Sequence, residues 1–431
     1  MVMSWRLVRS ITLFCLCGFV SAAILFCFFH LERTRKEGDH KTISKEPSGS
    51  ARETFYTEHE KRVQETKPAT VASGVAWIHH EDEDVSGQAT CFLEGTARQM
   101  SNVSCICKKG WNGAACSIPD AVWFTEAFQY WHSAGLIRRR RKPRAIINGF
   151  IFNHELDILE VRIKELGNAV DYFIIVESMY TNFGAEKPLY LKMNLSAGFL
   201  REHAHKIIPI ATDFYNYIDG DPWSPENYLR SSIWYEGQRR LRNIRRDDLF
   251  IMSDADEIPS REVVLFLKHH DGYGEPIMLR LRWFLYGFFW ENREPVNVSS
   301  VCTVAFIREK YENDSLRLRS MNTYTDEGLL STGTTIDMWT IEGTPPRYAG
   351  WHCSWCFDAH GIQVKLASAQ RDDGIRWGDI AEKTDIAYIN SLRRRGQYFD
   401  ESPPLNHCDP YEAAPMYVAK HAQRFRHLMQ P

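Results

Sequence analysis

Three carboxylates follow directly after a short apolar segment, and this pattern suggests chemistry more directly than any other in the chain. Leu249–Met252 is apolar throughout, and Asp254, Asp256 and Glu257 come next. In an extended segment, Asp254 and Asp256 point to one side, where they repel each other unless a cation or a proton lies between them. Such oxygen ligands suit Mg²⁺ or Mn²⁺, which keep open positions for substrate phosphates. We therefore expect a metal and diphosphate site; the alternative is that Asp256 or Glu257 only favours the N-terminus of a helix beginning near Ser260.

The segment from residue 145 to residue 177 predicts the sheet that would position these acids. Residues 145–151 and 172–177 are apolar strands, and between them apolar residues recur at helical spacing over 156–166. Strand, helix, strand is a βαβ unit, which implies an α/β fold with a parallel sheet. Ligands bind beyond the carboxyl ends of such strands, so the candidate ligand-binding residues are Asn153, Glu155, Asp157 and Glu177. The alternative is that the first of these caps the helix and the next two favour its positive end.

A cluster of arginines precedes the strand at Leu249. The segment "QRRLRNIRRDD" ends a helix that is predicted to begin at Ser224 and Pro225. Guanidinium groups bind phosphate oxygens in pairs, so one of these arginines at most, with Arg242 as the candidate, is expected to bind a diphosphate. The other arginines are expected on a solvated face: Arg239, Arg240, Arg245 and Arg246.

The composition indicates one large folded domain with additional segments. The chain has 431 residues, of which 44% are hydrophobic and 13% aromatic, enough to bury a sizeable core. The net charge of -3 gives no reason to expect a nucleic-acid partner. Residues 10–29 carry no charge, and this length predicts a transmembrane helix acting as a signal anchor. Residues 1–9 are then a cytoplasmic tail.

Sequons and cysteines predict that the rest of the chain lies in the secretory lumen. Basic residues flank both ends of the predicted span and slightly favour the opposite orientation. However, four acceptor sequons all follow the span, at Asn102, Asn194, Asn297 and Asn313. Three of the eleven cysteines lie in the span, and the remaining even number suits an oxidising compartment. We therefore predict a single-pass type II membrane protein with a luminal catalytic domain at residues 144–431.

Residues 30–143 are predicted to form a stem, a small disulfide-rich stub and a linker. Residues 30–90 are polar and hold few large apolar side chains, which is typical of a flexible stem. Residues 91–116, which end in "CICKKGWNGAAC", resemble the C-terminal half of an EGF-like module. That resemblance implies the disulfides Cys91–Cys105 and Cys107–Cys116; a zinc knuckle is the weaker alternative, because no His stands at ligand spacing. Residues 117–143 are predicted to be a linker, with a basic run up to Arg144 that is either solvated or cleaved by a processing protease.

Aromatic side chains are dense in the segment "RWFLYGFFW". Aromatic rings can pack on the apolar faces of a ligand, so the candidate ligand-binding residues are Trp283, Tyr286 and Trp290 in this segment and Trp351 further along the chain. The alternation of Ile277, Leu279 and Leu281 before this segment favours a core strand instead. Core packing is therefore the competing role for each of these aromatic residues.

The segment "GWHCSWCF" contains Cys353-x-x-Cys356. This spacing occurs in thiol oxidoreductases and in half of a zinc site. In an oxidising lumen a structural disulfide is favoured, either between these two cysteines or from them to Cys302 and Cys408.

Three segments in order closely resemble the family of bisecting N-acetylglucosaminyltransferases: "DDLFIMSDADEIPSREVVLFLK", "LRWFLYGFFW" and "YAGWHCSWCF". The likeness runs from about residue 144 to about residue 428, and Ser253 departs from it where a further Asp is expected. The resemblance implies a GT-A-like nucleotide-sugar-binding domain with a mostly parallel central sheet. It also implies UDP-GlcNAc as the donor, Mn²⁺ as the divalent metal, N-glycan chains of glycoproteins as acceptors, and a Golgi location. On this resemblance, the polar residues at the strand ends and Arg242 are the candidate donor-binding residues. The four aromatic residues are the candidate acceptor-binding residues, because sugar rings present apolar C–H faces that pack on aromatic rings.

The resemblance further implies an inverting transfer of GlcNAc to the 4-hydroxyl of the core β-mannose of N-glycans. A β-linked product from an α-linked donor requires a single displacement, in which a carboxylate takes the proton of the acceptor hydroxyl. The candidate catalytic acids are Glu257 first, and then Asp256, Asp326, Glu327 and Asp358. The candidate metal ligands are Asp254, Asp256 and, by similarity to other metal-dependent glycosyltransferases, His352.

Two other functions stay open at this point. The same donor chemistry could serve a different glycan acceptor. Alternatively, the chain could be a non-catalytic, membrane-anchored glycan-binding protein. The acids argue against this last alternative, because a lectin does not require paired carboxylates placed to hold a metal ion and a diphosphate.

Overall fold

The computed structural model describes residues 77–78, 91–99, 104–320, 338–369 and 375–431. Several predictions made from the sequence lie outside these ranges. They concern the cytoplasmic tail at 1–9, the span at 10–29, nearly all of the stem at 30–90, and the residues Asn102, Asp326 and Glu327.

An eleven-stranded sheet forms the centre of the described part of the chain. Its strands are β1 Ile146–Phe152, β2 Tyr172–Ser178, β3 Ile207–Thr212, β4 Leu249–Met252, β5 Glu257–Pro259, β6 Ile277–Leu285, β7 Trp290–Glu291, β8 Val296–Thr303, β9 Trp339–Ile341, β10 Gly350–Ser354 and β11 Asn406–His407. Its main order is β3-β2-β1-β4-β8-β6-β7-β11, with β9 and β10 also paired to β6, and β5 paired to β10.

The first part of the sheet is parallel, as the βαβ pattern predicted. Strands β3, β2, β1 and β4 pair in parallel register, with Ile147 opposite Tyr172 and Leu249 opposite Ile146. These strands are apolar because helices cover both of their faces. Their carboxyl ends therefore share one edge, where the residues that follow β1, β2 and β4 meet.

The prediction of a mostly parallel sheet is wrong for the second part. Strand β8 runs antiparallel to β4 and β6, β7 runs antiparallel to β6, and β11 runs antiparallel to β7. The physical reason is the length of the connections. Only four residues separate β6 from β7, and a connection this short joins antiparallel strands, whereas parallel neighbours need a long crossover. The sheet is therefore mixed.

The transmembrane helix in the predicted fold is also corrected. No helix within the described ranges is both long and apolar enough to cross a bilayer. The longest of them, Ser224–Gly237, has 14 residues, and a transmembrane helix needs about 20. The segment to which the span was assigned, residues 10–29, lies outside the described part of the chain.

Thirteen α-helices are described. They are α1 Asp120–Trp123, α2 Glu126–Ser133, α3 Leu156–Leu166, α4 Tyr190–Ser196, α5 Ser224–Gly237, α6 Arg261–His269, α7 Val304–Glu309, α8 Ser315–Arg319, α9 Ala359–Ser368, α10 Ile386–Arg395, α11 Pro410–Ala413, α12 Met416–Lys420 and α13 Arg426–Met429. Helices α3 and α6 pack on one face of the sheet, around Phe150 and Ile251. Helices α5, α7 and α8 pack on the other face, around Phe250 and Met252.

Helix α5 lies unusually close to the sheet because two glycines remove side chains from the contact. A Cβ added at Gly149 of β1 would overlap the side chain of Ile233, and one at Gly237 would overlap Ile174 of β2. Close packing of this kind fixes the height of α5 above the strands. The polar side chains on α5 are thereby held at the carboxyl edge of the sheet.

The stub at residues 91–116 packs onto the large domain. Its two predicted disulfides, Cys91–Cys105 and Cys107–Cys116, are confirmed. Phe92 belongs to the same core cluster as the sheet, and Glu94 pairs with Arg261 at the start of α6. The likeness to an EGF-like module stays a prediction.

Residues 117–143 are more ordered than the linker that the sequence predicted. They include α1 and α2, and both Val122 and Phe128 are fully buried. Part of the basic run also contacts the large domain. Arg138–Arg139 pairs as a short strand with His270–Asp271. Arg140 donates hydrogen bonds to the carboxylates of Asp247 and Asp271. This segment is therefore packed against the large domain.

Glu177, predicted as a donor-binding residue, ends β2 and caps a helix. Its carboxylate accepts hydrogen bonds from the backbone N–H groups of Leu191 (2.7 Å) and Lys192 (3.3 Å) in the first turn of α4. The side chain is fully buried, and burial raises the pKa of Glu177 to about 7. The protein therefore loses stability when this carboxyl ionises.

This raised pKa predicts a pH dependence of stability. The contribution of Glu177 is fully present below pH 4.5, its ordinary pKa, and is lost as the pH rises to about 7. In the unmodified chain, we expect the unfolding free energy to fall by up to about 3 kcal/mol across that interval. Glu177→Gln, which keeps an acceptor oxygen, should remove this fall. Denaturant unfolding from pH 5 to pH 8 measures it, with the exposed Glu186→Gln as the matched control. Identical pH profiles for Glu177→Gln and the unmodified chain would contradict this account.

Candidate active site

The acidic segment forms a turn after β4. Residues Ser253 to Asp256 do not continue the strand, and the chain then re-enters the sheet as β5, paired with β10. The helix that follows begins at Arg261, and the Ser260 hydroxyl caps it by accepting from the Val263 N–H at 3.3 Å. Neither Asp256 nor Glu257 caps this helix. Because the segment turns, the carboxylates of Asp254 and Asp256 meet different partners.

A buried arginine on α3 holds the turn in place. Arg162 is fully buried, and its guanidinium group donates five hydrogen bonds, four of them to the turn and the residue after it. The acceptors are Asn148 Oδ1 (3.0 Å), Ser253 Oγ (2.7 Å) and the backbone oxygens of Asp254 (2.7 Å), Ala255 (3.2 Å) and Glu257 (3.0 Å). Burial lowers the pKa of Arg162 to about 10, so it stays charged at neutral pH.

Asp254 is neutralised by two arginines. Arg230 of α5 donates from Nε and Nη2 to its two carboxylate oxygens at 3.1 and 2.8 Å, and Arg319 at the end of α8 donates to Oδ2 at 3.1 Å. Burial opposes ionisation, but the two guanidinium groups hold the pKa of Asp254 well below its usual range. Arg230 also pairs with Glu226 one turn earlier on α5.

Glu257, the first candidate for the catalytic base, is enclosed within the same network. It is 2% exposed. One carboxylate oxygen accepts from Arg319 at 2.6 Å, and the other accepts from the backbone N–H of Asp254 at 2.8 Å. The geometry gives Glu257 the role of shaping the turn.

Asp256 faces a different pair of groups. Its Oδ2 lies 3.5 Å from Nζ of Lys365 on α9, and its Oδ1 lies 4.0 Å from Nε2 of His352 on β10. Burial opposes the charge on Lys365, but Asp256, Glu155 and Glu226 raise its pKa above the ordinary value. Asp256 is therefore the carboxylate of the turn that faces an ammonium group and an imidazole supplied by the C-terminal part of the chain.

Two of the predicted donor-binding residues lie beside this cluster. Asn153 donates from Nδ2 to Ser368 Oγ at 2.9 Å, which ties the end of β1 to α9. The Glu155 carboxylate accepts from the backbone N–H groups of Asn153 and His154, the two residues before it, and makes no capping hydrogen bond to α3. Its burial opposes ionisation, but His154, Lys365 and these N–H groups lower the pKa of Glu155.

The other predicted donor-binding residues lie elsewhere. Asp157 pairs with Arg424 and His427 near the C-terminus, and Glu177 caps α4. Arg242 is exposed in the loop that leads into the amino end of β4, whereas the acids follow its carboxyl end. The geometry therefore does not bring these three residues to the acidic turn.

One of the four aromatic candidates lies at the acids. Trp283 donates to Ser354 Oγ at 3.0 Å and stacks against His352 with 6.1 Å between ring centroids. Tyr286 is fully buried and donates to the Gln397 carbonyl, and Trp290 donates to the Arg393 carbonyl. Trp351 lies on the opposite face of β10 from His352 and donates to the Ala413 carbonyl.

Two further predictions concern the C-terminal part. Asp358 caps α9 by accepting from the Gly361 N–H at 2.8 Å, so this candidate base has a structural role. Of the two disulfide arrangements considered for the CxxC segment, the bond between Cys353 and Cys356 is the one present, and Cys302 and Cys408 are free thiols.

Comparison with known proteins identifies the region that carries this network. Residues 125–323, which include the acidic turn, Arg162, Arg230 and Arg319, match the model of glycosyltransferase family 17. Over these residues the chain is similar to members of that family. The match begins inside the segment that the sequence predicted as a linker.

Three curated relatives extend the likeness beyond this domain. The proteins named beta-1,4-mannosyl-glycoprotein 4-beta-N-acetylglucosaminyltransferase in Rattus norvegicus, Mus musculus and Homo sapiens are each 40% identical to the chain, over 351, 349 and 348 residues. These alignments cover 78% of this chain and 63% of each relative, so the chain spans less than two thirds of their length. The family resemblance seen in the three sequence segments is confirmed.

The side chains around the acidic turn can be compared with the ligands that the metal ion implied by the resemblance would need. Within the described residues, no group of three or more His, Cys, Asp or Glu side chains could hold a metal ion. Asp254 is engaged by two arginines, which leaves Asp256 and His352 as a pair. His352 also has a buried Nδ1 without a hydrogen-bond partner. Two protein ligands fit an ion that takes its other ligands from water and phosphate oxygens.

Sequence reasoning missed the cations of this network. Arg162 carried a signal, because it lies among Ile158, Leu159 and Ile163 on the apolar side of α3, where a charge must have a partner. Arg230 stands four residues after Glu226, which is ion-pair spacing on a helix. Arg319 and Lys365 carried no such signal, since only the tertiary fold brings α8 and α9 to the turn.

The geometry predicts that Arg162 is required for the shape of the acidic turn. Arg162→Met keeps the volume but removes the donor from three backbone oxygens, and each unsatisfied buried acceptor costs about 1–3 kcal/mol. We expect a loss in unfolding free energy on the order of 3 kcal/mol or more, measured by denaturant unfolding. Arg246, with 71% of its side chain exposed, is the matched control, and Arg246→Met should stay within about 0.5 kcal/mol. Equal stability of the two variants would refute the role of Arg162.

Proposed function

We propose that this chain transfers N-acetylglucosamine from UDP-GlcNAc to the 4-hydroxyl of the core β-mannose of N-glycans. The observation that carries the proposal is the position of the acidic turn and its arginines inside the region that matches glycosyltransferase family 17. The names of the three relatives, which are 40% identical, support the sugar and the acceptor. A non-catalytic glycan-binding protein would not require this network of buried charges.

The cations around the turn support binding of a nucleotide-sugar diphosphate. Arg230, Arg319 and Lys365 bring three positive side chains to the carboxylates. Guanidinium groups form short, paired hydrogen bonds with phosphate oxygens. We infer that the diphosphate binds at the edge of this cluster, where Lys365 can exchange part of its contact with Asp256 for a phosphate oxygen.

We further propose that Asp256 and His352 hold a Mn²⁺ ion together with the donor. When bound, the ion supplies positive charge to the diphosphate as the bond to the sugar breaks. Asp254 keeps its contacts with Arg230 and Arg319, so it orients the turn and is not a ligand. The nitrogen of His352 that faces Asp256 is Nε2, which lies 4.0 Å from Asp256 Oδ1 and 3.0 Å from Ser354 Oγ, and this separation between the two ligand atoms supports a shared ion.

The reaction that fits this site is a single displacement with inversion. The acceptor oxygen forms a bond to the anomeric carbon, the bond from that carbon to the phosphate oxygen breaks, and UDP leaves. The hydroxyl proton passes to a carboxylate. Glu257 and Asp358 are poorly placed for this step, because the first is buried against Arg319 and the second caps α9.

Asp326 and Glu327 therefore remain the candidates for the base. Asp326→Asn and Glu327→Gln separate them: the variant of the true base loses transfer but still binds the donor, and the other retains transfer. Titration of UDP beside a transfer assay measures both quantities.

We propose that the domain works in the lumen of the Golgi apparatus. Three disulfides in the described residues support an oxidising compartment. The sequons at Asn194 and Asn297 provide the test, since a luminal protein can carry glycans there. Mass spectrometry of the secretory-pathway protein that found no glycan at any sequon would oppose this location.

Incubation with defined acceptors tests the activity. The chain is mixed with UDP-GlcNAc, Mn²⁺ and a panel of N-glycans that differ in their branches, and the linkage of each product is determined. We expect one added GlcNAc, β1,4-linked to the core mannose. Hydrolysis of the donor without transfer, or a product at another position, would overturn the proposed acceptor. If the donor is neither hydrolysed nor used for transfer, the proposed donor chemistry is overturned.

The two aspartates of the turn are predicted to differ in what they affect. Asp256→Asn should abolish transfer at ordinary Mn²⁺ concentrations and change unfolding free energy by less than about 1 kcal/mol, because its contacts are loose. Asp254→Asn should also abolish transfer, but it should cost on the order of 3 kcal/mol, because it leaves two buried arginines with one partner fewer. Thermal unfolding and rate against Mn²⁺ concentration, measured on both variants, check this. A near-normal rate for Asp256→Asn would contradict the metal assignment.

A further inference from the structure

A deep cleft lies between the stub at residues 91–116, strands β6 and β10, and the C-terminal helices. Its volume is about 790 Å³, within the range of about 300–1,000 Å³ that is typical of ligand pockets. The lining includes the aromatic side chains of Trp111, Tyr348, Trp351 and Tyr417, together with Lys109 and Arg282. None of the carboxylates of the acidic turn lines the cleft.

The cleft and the acidic turn lie on opposite faces of the sheet, at the place where strands β6 and β10 pair. Strands β6 and β10 pair with Arg282 opposite Trp351 and Trp283 opposite His352. Successive side chains of a strand point to opposite faces. Because His352 and Trp283 face Asp256, Arg282 and Trp351 face away from it and into the cleft. A ligand long enough to pass around the ends of these two strands could contact both sites.

The walls of the cleft are fixed before any ligand binds. The loop that carries Lys109 and Trp111 is closed by the disulfide Cys107–Cys116. The opposite wall is α12, whose first turn is held by Glu165, since the Glu165 carboxylate accepts from the Tyr417 N–H at 2.8 Å. A preformed cleft loses little conformational entropy when it binds a ligand.

The charges around the cleft favour a neutral ligand. Its arginines are already ion-paired: Arg261 with Glu94, Arg347 with Asp120, and Arg282 with Glu291. An anionic ligand would have to break these pairs or bind Lys109 and Lys420, whose charges Glu262 and Glu412 of the same lining offset. Aromatic rings beside paired polar groups instead suit a ligand that is rich in hydroxyls and carries apolar C–H faces, which is the chemistry of an oligosaccharide.

We propose that this cleft binds a neutral oligosaccharide arm of the acceptor, remote from the mannose that reacts. The inference rests on the proposed function, and it assigns to the stub the role of one wall of the acceptor site. Tyr348 supplies an aromatic platform, and α12 closes the other side.

The test compares a large acceptor with a small one. Tyr348→Ala should raise KM about fivefold or more for a branched N-glycan, while kcat and the KM for UDP-GlcNAc stay unchanged. The KM for a minimal β-mannoside acceptor should also stay unchanged, because it cannot reach the cleft. Tyr348→Phe keeps the ring and should behave like the unmodified chain. Tyr130→Ala, which alters a side chain that is 71% exposed and outside the cleft, is the matched control.

A second variant guards against misfolding of Tyr348→Ala. Met416 is 52% exposed and lines the cleft, so Met416→Trp should narrow the cleft without disturbing the core, and it should raise the same KM. Unchanged KM values for both variants with the branched glycan would overturn the proposal. An equal rise for both acceptors would also overturn it, as would a rise seen with a glycoprotein but not with its free glycan, which would identify a polypeptide ligand.

Calorimetric titration of the full chain with the free branched glycan, without donor, separates this inference from the proposed function. Binding that weakens about fivefold in Tyr348→Ala supports the cleft even if no acceptor is glycosylated, and that outcome would count only against the proposed activity. Transfer by the unmodified chain with no effect of either variant on KM or on glycan binding would count only against the cleft.

Discussion

The acidic turn depends on one buried guanidinium group. Arg162 reaches from α3 under the end of β4 and donates to a side chain and three backbone oxygens of residues 253–257. A planar group with several donors in fixed directions can satisfy such a turn, whereas an ammonium group would satisfy fewer of its acceptors. Burial lowers the pKa of Arg162 to about 10, and nearby carboxylates oppose that shift. The turn and the arginine therefore stabilise each other, and the carboxylates project from a fixed backbone.

The side chains above this turn come from four separate parts of the chain. Helix α5 contributes Arg230, the end of α8 contributes Arg319, α9 contributes Lys365, and β10 contributes His352. Opposite charges offset one another in pairs, so the site holds several buried ions without a large net charge. In the proposed diphosphate site, Lys365 turns from Asp256 to a phosphate oxygen, while Arg230 and Arg319 keep Asp254 in place.

The mixed topology of the sheet gives the protein two surfaces with different side chains. The parallel half brings the ends of β1, β2 and β4 to one edge. In the half built on β6, one face of the sheet carries Trp283 and His352. The other face carries Arg282 and Trp351. The stub packs against this second surface, so its disulfides stabilise a wall of the large domain. What reads along the sequence as a separate module is part of the same structure.

The sequence by itself determined the local features. The apolar runs and helical spacing predicted β1, α3, β2 and β4, because periodicity reports directly which faces are buried. The position of Asp254 and Asp256 at the end of β4 followed from the same pattern, and resemblance to known families supplied the stub disulfides and the glycosyltransferase family. Tertiary structure decided the rest. It paired Asp254 with two arginines, moved Asp157 and Arg242 away from the acids, and buried Tyr286, because contacts between residues far apart in the chain leave no periodic trace. It also made the sheet mixed, since strand direction depends on how short connections fold back, and an apolar run is the same in either direction.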